Sequence, residues 1–188
     1  DWADAVIFGP GLKTDASSGD WMAQILRKLE KPLVLDASGF LPLIENKMTI
    51  GELPLDSILT PHYAEFSSIF NLDLRKVMND PISAVRDIIP KLENRVLILK
   101  GATNIIVSSS GEILLMNPGT PALATAGTGD VLTGILGALL AQGKQLDEAS
   151  LLAVYLHGEC VHQFNKLISS TGLIASDLPA MIPYALNE

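Results

Sequence analysis

Four short segments, each almost wholly apolar and each stopped by a turn or a polar residue, constrain this chain's fold more than any other feature. Ala5-Val6-Ile7-Phe8 stops at Gly9-Pro10-Gly11, and Leu33-Val34-Leu35 at Asp36. Ser57-Ile58-Leu59 stops at Thr60-Pro61-His62, and Val96-Leu97-Ile98-Leu99 at Lys100-Gly101. Strands that lack apolar/polar alternation are expected to be buried on both faces. Helical spacing intervenes between them: Trp21, Ile25, Leu26 and Leu29 follow a polar loop at 13–20. Asp80-Pro81 opens another helix, with proline at the first helical position and Ile82, Val85, Ile88 and Ile89 as its apolar face. Strands alternating with helices predict an α/β fold with a mostly parallel central sheet flanked by helices on both faces.

The pattern then changes. Residues 104–108, a Ser108-Ser109-Ser110-Gly111 turn and residues 112–116 predict an antiparallel hairpin. A glycine- and alanine-rich loop over 117–130 follows, then two apolar helices near 131–142 and 147–168, and a last helix from Ser176 or Asp177 with Leu178, Ile182 and Leu186. With no repeat, low-complexity tract or linker, 188 residues are read as a single domain, 1–188, large enough to bury its own core. The single cysteine, Cys160, excludes an internal disulfide framework and fits a reducing, cytoplasmic setting. Thirteen basic against 21 acidic residues, a net charge of −8 and no local Lys/Arg cluster argue against a nucleic-acid partner. The apolar runs at 135–141 and 151–156 are too short to span a bilayer, so no membrane partner is expected. The chain opens on Asp1 rather than Met, and the expectation is that it begins partway through a longer protein.

In an open parallel sheet, ligands gather where loops converge at the carboxyl ends of the strands. The polar and glycine-rich signals of this sequence lie at those ends. The strongest is Thr125-Ala126-Gly127-Thr128-Gly129-Asp130, directly before an apolar helix. Small residues there admit a ligand close to the backbone, and the helix start offers unpaired N–H groups and positive dipole charge to an anion. Asp130 in the first turn either accepts a proton from a substrate hydroxyl or caps the helix. Lys100 either contacts a phosphate or sends its ammonium to solvent. His62 is either a site residue or a satisfied structural histidine. Asp36 holds a metal-bound water, a ligand hydroxyl or only its turn. His157, Cys160 and His162 do not share one helical face, which argues against a zinc site, and Cys160 is expected in the core. No Gly-Lys-Ser/Thr follows the loop, and Gly9-Pro10-Gly11 has no third glycine, so neither a Walker A loop nor a dinucleotide fingerprint is present.

Taken in order, these motifs resemble the ADP- or ATP-dependent NAD(P)H-hydrate dehydratases, a branch of the ribokinase-like superfamily. The resemblance runs through AVIFGPG (5–11), VLDASGF (34–40), ILTPHYAE (58–65), LILKGAT (97–103), NPGTPALATAGTGDVLTG (117–134), AVYLHG (153–158) and ASDL (175–178). Two departures change local loops. Tyr63-Ala64 stands where the family usually has proline and glycine, and Asp36-Ala37-Ser38-Gly39-Phe40 stands for Asp-Ala-Asp-Ala/Gly-Leu. The family normally begins with a further strand-and-helix segment, so the chain is expected to be N-terminally shortened, with reduced turnover.

The resemblance implies a lyase that repairs hydrated NADH or NADPH (NADHX, NADPHX). The 6-hydroxyl is phosphorylated at the expense of ADP or ATP, with ADP expected for a bacterial member, and phosphate is then eliminated. It implies Asp130 as catalytic residue and hydrate contact, with Gly11 and His62 lining the hydrate site. It implies Lys100, Gly101, Ala102, Thr103 and Asn104 as nucleotide-binding, together with Gly129. As mechanism, Asp130 deprotonates the hydroxyl while the amides of Gly127, Thr128 and Gly129 stabilise the transferring phosphoryl group. Mg²⁺ on the nucleotide phosphates is expected, with no protein metal ligands. A homotetramer and a fused or separate epimerase are implied by the resemblance alone. Two other readings remain open: a ribokinase-like sugar or vitamin-precursor kinase that stops after phosphoryl transfer, and a non-catalytic adenine-nucleotide-binding module.

Overall fold

Side chains alternate across the strands of the sheet, and that alternation divides the interior into two layers. In the computed structural model, which describes residues 2–117, 121–169 and 171–187, the strands are β1 (Val6–Phe8), β2 (Leu33–Leu35), β3 (Ser57–Leu59), β4 (Val96–Leu99), β5 (Asn104–Val107) and β6 (Ile113–Met116). They lie in sequential order β1-β2-β3-β4-β5-β6. β1 to β4 are parallel, with Val34 opposite Ile58 and Leu59 opposite Leu97; β5 and β6 are antiparallel, so both the parallel sheet and the expected hairpin are found. Leu33, Leu35, Leu59, Leu97 and Leu99 point to one layer; Val34, Ile58, Val96 and Ile98 point to the other.

Stepping one strand at a time in one direction with right-handed crossovers puts every crossover helix on one face. That face carries α1 (Ser18–Leu26), α2 (Leu41–Ile44), α3 (Tyr63–Phe70), α4 (Leu74–Asn79) and α5 (Pro81–Leu92). The opposite face would stay bare without the helices that follow the hairpin. It is covered by α6 (Thr128–Ala141), α7 (Leu146–Leu167) and α8 (Leu178–Ala185). No helix of the described residues is long and apolar enough to cross a membrane.

Three expectations are corrected. β1 is an edge strand, so Ile7 is 42% exposed and Val6 and Phe8 are only partly buried. In α1 the fully buried apolar face is Met22, Ala23 and Leu26; Ile25 is 43% exposed, and Trp21, 37% exposed, sets its ring edge-on to Phe8 of β1. The helix expected near 131 begins at Thr128, since Gly127 adopts a left-handed φ of 88° and turns the chain into α6 three residues earlier. Within the expected loop, a 3₁₀ turn spans Pro121–Ala124; Pro118, Gly119 and Thr120 of the NPGT stretch lie outside the described residues.

Candidate functional site

Glycine at position 9 is required by contact. Its φ is 126°, and a Cβ there would lie 1.7 Å from the Asp36 carbonyl oxygen. The end of β1 therefore packs onto the turn after β2. The Asp36 amide donates to the Phe8 carbonyl, and the Ser38 hydroxyl donates to the Leu12 carbonyl. These bonds fix the loop carrying Gly11, which is exposed at φ 71° with open space where a side chain would stand.

Next along the sheet, the Lys100 amide donates to the Pro61 carbonyl at 2.8 Å, which extends β4 past His62. His62 is the N-cap of α3. Its Nδ1 accepts from the Ala64 and Glu65 amides, both at 3.1 Å, and the Glu65 carboxylate accepts from the His62 amide at 2.8 Å. The cap leaves the Nε2 edge outward, 3.5 Å from Glu65 Oε1, with the side chain 55% exposed. Both weighed readings of His62 thus apply to different atoms: Nδ1 is structural, and Nε2 is presented to the surface.

The centre of the site is an ion pair that the sequence does not announce. The Lys100 ammonium donates to Asp36 Oδ1 at 2.6 Å, and the Asp36 carboxylate is 2% exposed. A Cβ built on Gly129 would lie 3.3 Å from Lys100 Nζ and 3.9 Å from Asp36 Oδ2. Lys100 is therefore held, not solvated, against the first turn of α6. Asp36 is buried beside it, which decides its open assignment: it holds Lys100.

At that turn, the Thr128 hydroxyl donates to the carbonyls of Leu123 and Thr125, at 2.7 and 2.9 Å. The Thr128 amide also bonds the Thr125 carbonyl, and the Asp130 amide bonds that of Gly127. The amides of Gly127 and Gly129 have no acceptor among the described residues, so two of the three expected anion donors stand unspent. Asp130 is exposed at the same turn, and its carbonyl accepts from the Thr133 hydroxyl.

The nucleotide segment divides similarly. Ala102 is exposed and Thr103 partly so; Asn104 is buried, its Oδ1 accepting from the Gly101 amide at 3.3 Å. Asn104 thus holds the turn closed. Tyr63 lies over it: a Cβ on Gly101 would fall 2.7 Å from the Tyr63 hydroxyl, so a side chain there would have to displace the tyrosine.

Below the anion turn lies His157 of α7, 6% exposed. Burial pushes its imidazole down to about 4, opposed by a hydrogen bond to the Thr128 backbone and reinforced by the Lys100 charge. The sequence weighed this residue only as a metal ligand. The signal that could have found it is a histidine on a helical face otherwise made of Ala153, Val154 and Val161. Cys160 is buried as expected, and burial raises its thiol to about 11, well out of thiolate range.

The structure thus joins Asp36, Lys100, Gly129, Thr128 and His157 in one layer, with His62 beside it and Gly11 on the neighbouring loop. This arrangement offers a fixed cation, unpaired amides at a helix start and an exposed carboxylate, the parts that phosphoryl transfer requires.

A family model described as NAD(P)H-hydrate dehydratase matches residues 1–183. The chain is 36% identical over 187 residues to the bifunctional NAD(P)H-hydrate repair enzyme Nnr of Vibrio cholerae, matching all of this chain and 36% of that protein. It is 31% identical over 185 residues to the protein of the same name from Moorella thermoacetica, covering 98% of this chain and 35% of that protein. The chain spans about a third of the length of these curated relatives. Among solved structures it is similar to the ADP/ATP-dependent NAD(P)H-hydrate dehydratase of Bacillus subtilis co-crystallised with ATP/Mg²⁺. That likeness has a TM-score of 0.82 and 29% identity, over 98% of this chain and 64% of that one. A hydroxyethylthiazole kinase from Pyrococcus horikoshii, at 17% identity and a TM-score of 0.70, shares the fold alone.

Proposed function

This chain belongs to the NAD(P)H-hydrate dehydratase family, and from that membership we propose that it returns hydrated NADH or NADPH to the working cofactor, using ADP or ATP. Hydroxide is a poor leaving group from the nicotinamide ring. Phosphorylating the 6-hydroxyl makes a phosphate ester; its C–O bond then breaks, phosphate leaves and a proton is lost from the neighbouring ring carbon, which restores the ring double bond. The observation that carries the reading is the Lys100 ammonium, held 2.6 Å from buried Asp36 and facing Gly129 at the start of α6.

Each residue then has a task. Lys100 and the Gly127 and Gly129 amides receive the phosphates. Asp130 takes the proton of the attacking hydroxyl as its oxygen forms the bond to the terminal phosphorus, and the bond from that phosphorus to the rest of the nucleotide breaks, releasing AMP from ADP or ADP from ATP. The Gly101, Ala102 and Thr103 segment, closed by Asn104, borders the nucleotide, and Gly11 with the outward edge of His62 borders the hydrate. Among the described residues no group of three or more His, Cys, Asp and Glu could hold a metal ion. Mg²⁺ is proposed to ride on the nucleotide phosphates, as this small hard cation commonly does. Bound there, the ion would neutralise charge as the phosphoryl group moves. Residues 1–188 are proposed to act as one dehydratase domain in a cytoplasmic homo-oligomer, alongside an epimerase, since the curated relatives are bifunctional.

The test follows the absorbance of reduced nicotinamide with NADH hydrate, Mg²⁺ and either ADP, ATP or neither. Recovery only with a nucleotide, accompanied by inorganic phosphate, is the expected result. A stable phosphorylated product would mark a kinase instead, and nucleotide binding without either product would mark a binding module.

A further inference from the structure

Tyr63 opens α3 directly after its cap, His62, and two sets of bonds fix where it stands. The His62 ring accepts from the Ala64 and Glu65 amides, and the Glu65 carboxylate accepts from the His62 amide, so the first turn of α3 is closed. The Lys100 amide donates to the Pro61 carbonyl at 2.8 Å and holds that turn beside the end of β4. From there the partly buried Tyr63 ring packs on the apolar layer between the sheet and α1 to α5. Its outer end reaches the turn into β5. A Cβ built on Gly101 would stand 2.7 Å from the hydroxyl oxygen and 3.0 Å from the ring carbon that bears it.

That hydroxyl has no hydrogen-bond partner among the described residues, and it is not enclosed, so it is open to solvent. A tyrosine that served packing alone could be phenylalanine. An accessible phenol, held by packing over a turn whose Ala102 is exposed, is instead a preorganised donor for a ligand. The neighbouring groups indicate which part of the ligand it meets. Phosphates take the Lys100 ammonium and the start of α6, where a Cβ on Gly129 would lie 3.3 Å from Lys100 Nζ. Gly101 is the next residue along the chain. The part of a nucleotide that adjoins its phosphates is the sugar, whose hydroxyls donate and accept as a phenol does. Phosphates alone offer no such group.

We propose that Tyr63 is a nucleotide-contacting residue that sets specificity: its hydroxyl bonds the sugar of a nucleotide lying over Gly101, and so favours nucleoside phosphates over bare polyphosphate. The assignment deepens the dehydratase reading and rests on it for the position of the phosphates.

The test compares the native chain with Tyr63→Phe, which keeps the ring and removes only the oxygen. With no protein bond lost, Y63F should melt at the native temperature. Titrated with ADP and Mg²⁺ it should bind about 3- to 10-fold more weakly, the worth of one hydrogen bond to an uncharged group. Pyrophosphate with Mg²⁺ should bind both proteins alike. In turnover of NADH hydrate, KM for ADP should rise by the same factor with kcat unchanged. A second readout needs no variant beyond assignment. With ¹³C at the ring carbon bearing the hydroxyl, the three tyrosines give three resonances, and the one missing from Y63F is Tyr63. ADP should shift that resonance, pyrophosphate should not, and Tyr155 and Tyr184, exposed on α7 and α8, should stay in place.

Equal ADP affinity in the two proteins, with a motionless Tyr63 resonance, overturns the proposal. A loss shared by pyrophosphate would put the hydroxyl at the phosphates, and a raised KM for the hydrate alone would put it in the hydrate site; either defeats the sugar contact. A native chain that binds ADP yet returns no NADH from the hydrate defeats the dehydratase reading and leaves Tyr63 standing. A native chain that binds no ADP defeats both.

Discussion

Gly129→Ala separates the chemical demands of the anion turn from its stability. Gly129 occupies the second position of α6, with no positive φ to forbid a side chain. Alanine is a better helix former than glycine by up to about 1 kcal/mol in a helix interior, and about half of that is expected in a first turn. For a chain of 188 residues this raises Tm by about 1–2 °C. The new methyl would stand 3.3 Å from Lys100 Nζ, inside the ~3.7 Å of an ordinary contact. The ammonium must retreat by about 0.4 Å, stretching its 2.6 Å bond to Asp36, and the methyl also stands where a phosphate oxygen would approach the Gly129 amide. Misplacements approaching 1 Å can cost about a hundredfold in rate, so kcat/KM should fall about 10- to 100-fold. Gly134→Ala is the control: it lies on the exposed face of the same helix and its Cβ would meet nothing within 4 Å. That variant should gain about 0.5–1 kcal/mol and keep full turnover. Hydrate dehydration followed by absorbance, beside thermal melts, reads both quantities. Native kcat/KM in G129A would refute the placement of the phosphates, and equal losses in G134A would trace the effect to α6 in general.

Other residues give sharper single readouts. Asp130→Asn should fold and bind nucleotide normally yet lose about 10²- to 10⁴-fold in kcat, and full turnover would exclude it as the base. Asp36→Asn frees Lys100 from its buried partner; because the lysine side chain is 20% exposed, the cost in urea denaturation should be about 2 kcal/mol, below that of a fully buried pair, with a raised KM for nucleotide. His157 titrates near 4 in the folded chain against 6.5 unfolded. Between those values the unfolded chain binds a proton that the folded one refuses, so this contribution is complete above pH 6.5 and shrinks as pH falls toward 4, by about 3 kcal/mol in all. Urea midpoints at pH 7 and 4.5 should therefore lie further apart in native protein than in His157→Leu, and equal separations in the two would refute the burial.

The sheet was legible because each strand carries its own boundary. Leu33-Val34-Leu35 before Asp36 and Val96 to Leu99 before Lys100 are short apolar runs that stop at polar residues, and both lie where expected. What misled was neighbour identity. Ile7 has the same apolar character as Val34, but β1 has a partner on one side only, and strand order is not written in any local window. Trp21 packs edge-on against Phe8 of β1 and Ile25 is 43% exposed, so the helix over the edge strand is only partly covered. The turn chemistry of Gly127 was visible as glycine, but its use as a helix start required a φ value that only the fold imposes.

The Asp36–Lys100 pair joins residues 64 apart in sequence, so no local window of the sequence shows that they meet. Parallel registry aligns Leu35 with Leu59 and Leu59 with Leu97, so Asp36 and Lys100 leave the sheet at the same edge, Lys100 two residues further on, and the lysine side chain reaches the carboxylate. The opposite end of the sheet shows what that level would look like without chemistry to perform. There Arg95, 2% exposed just before β4, donates to the carbonyls of Gly51, Leu53, Pro54 and Glu93. Every guanidinium nitrogen is occupied by backbone, and the charge is spent on closing loops. At the carboxyl end, among the described residues, Lys100 pairs with Asp36, the Gly127 and Gly129 amides have no acceptor, and Asp130 is exposed. Unpaired amides and an exposed carboxylate at one end, against a guanidinium fully bonded to backbone at the other, support the carboxyl end as the proposed working face independently of any motif.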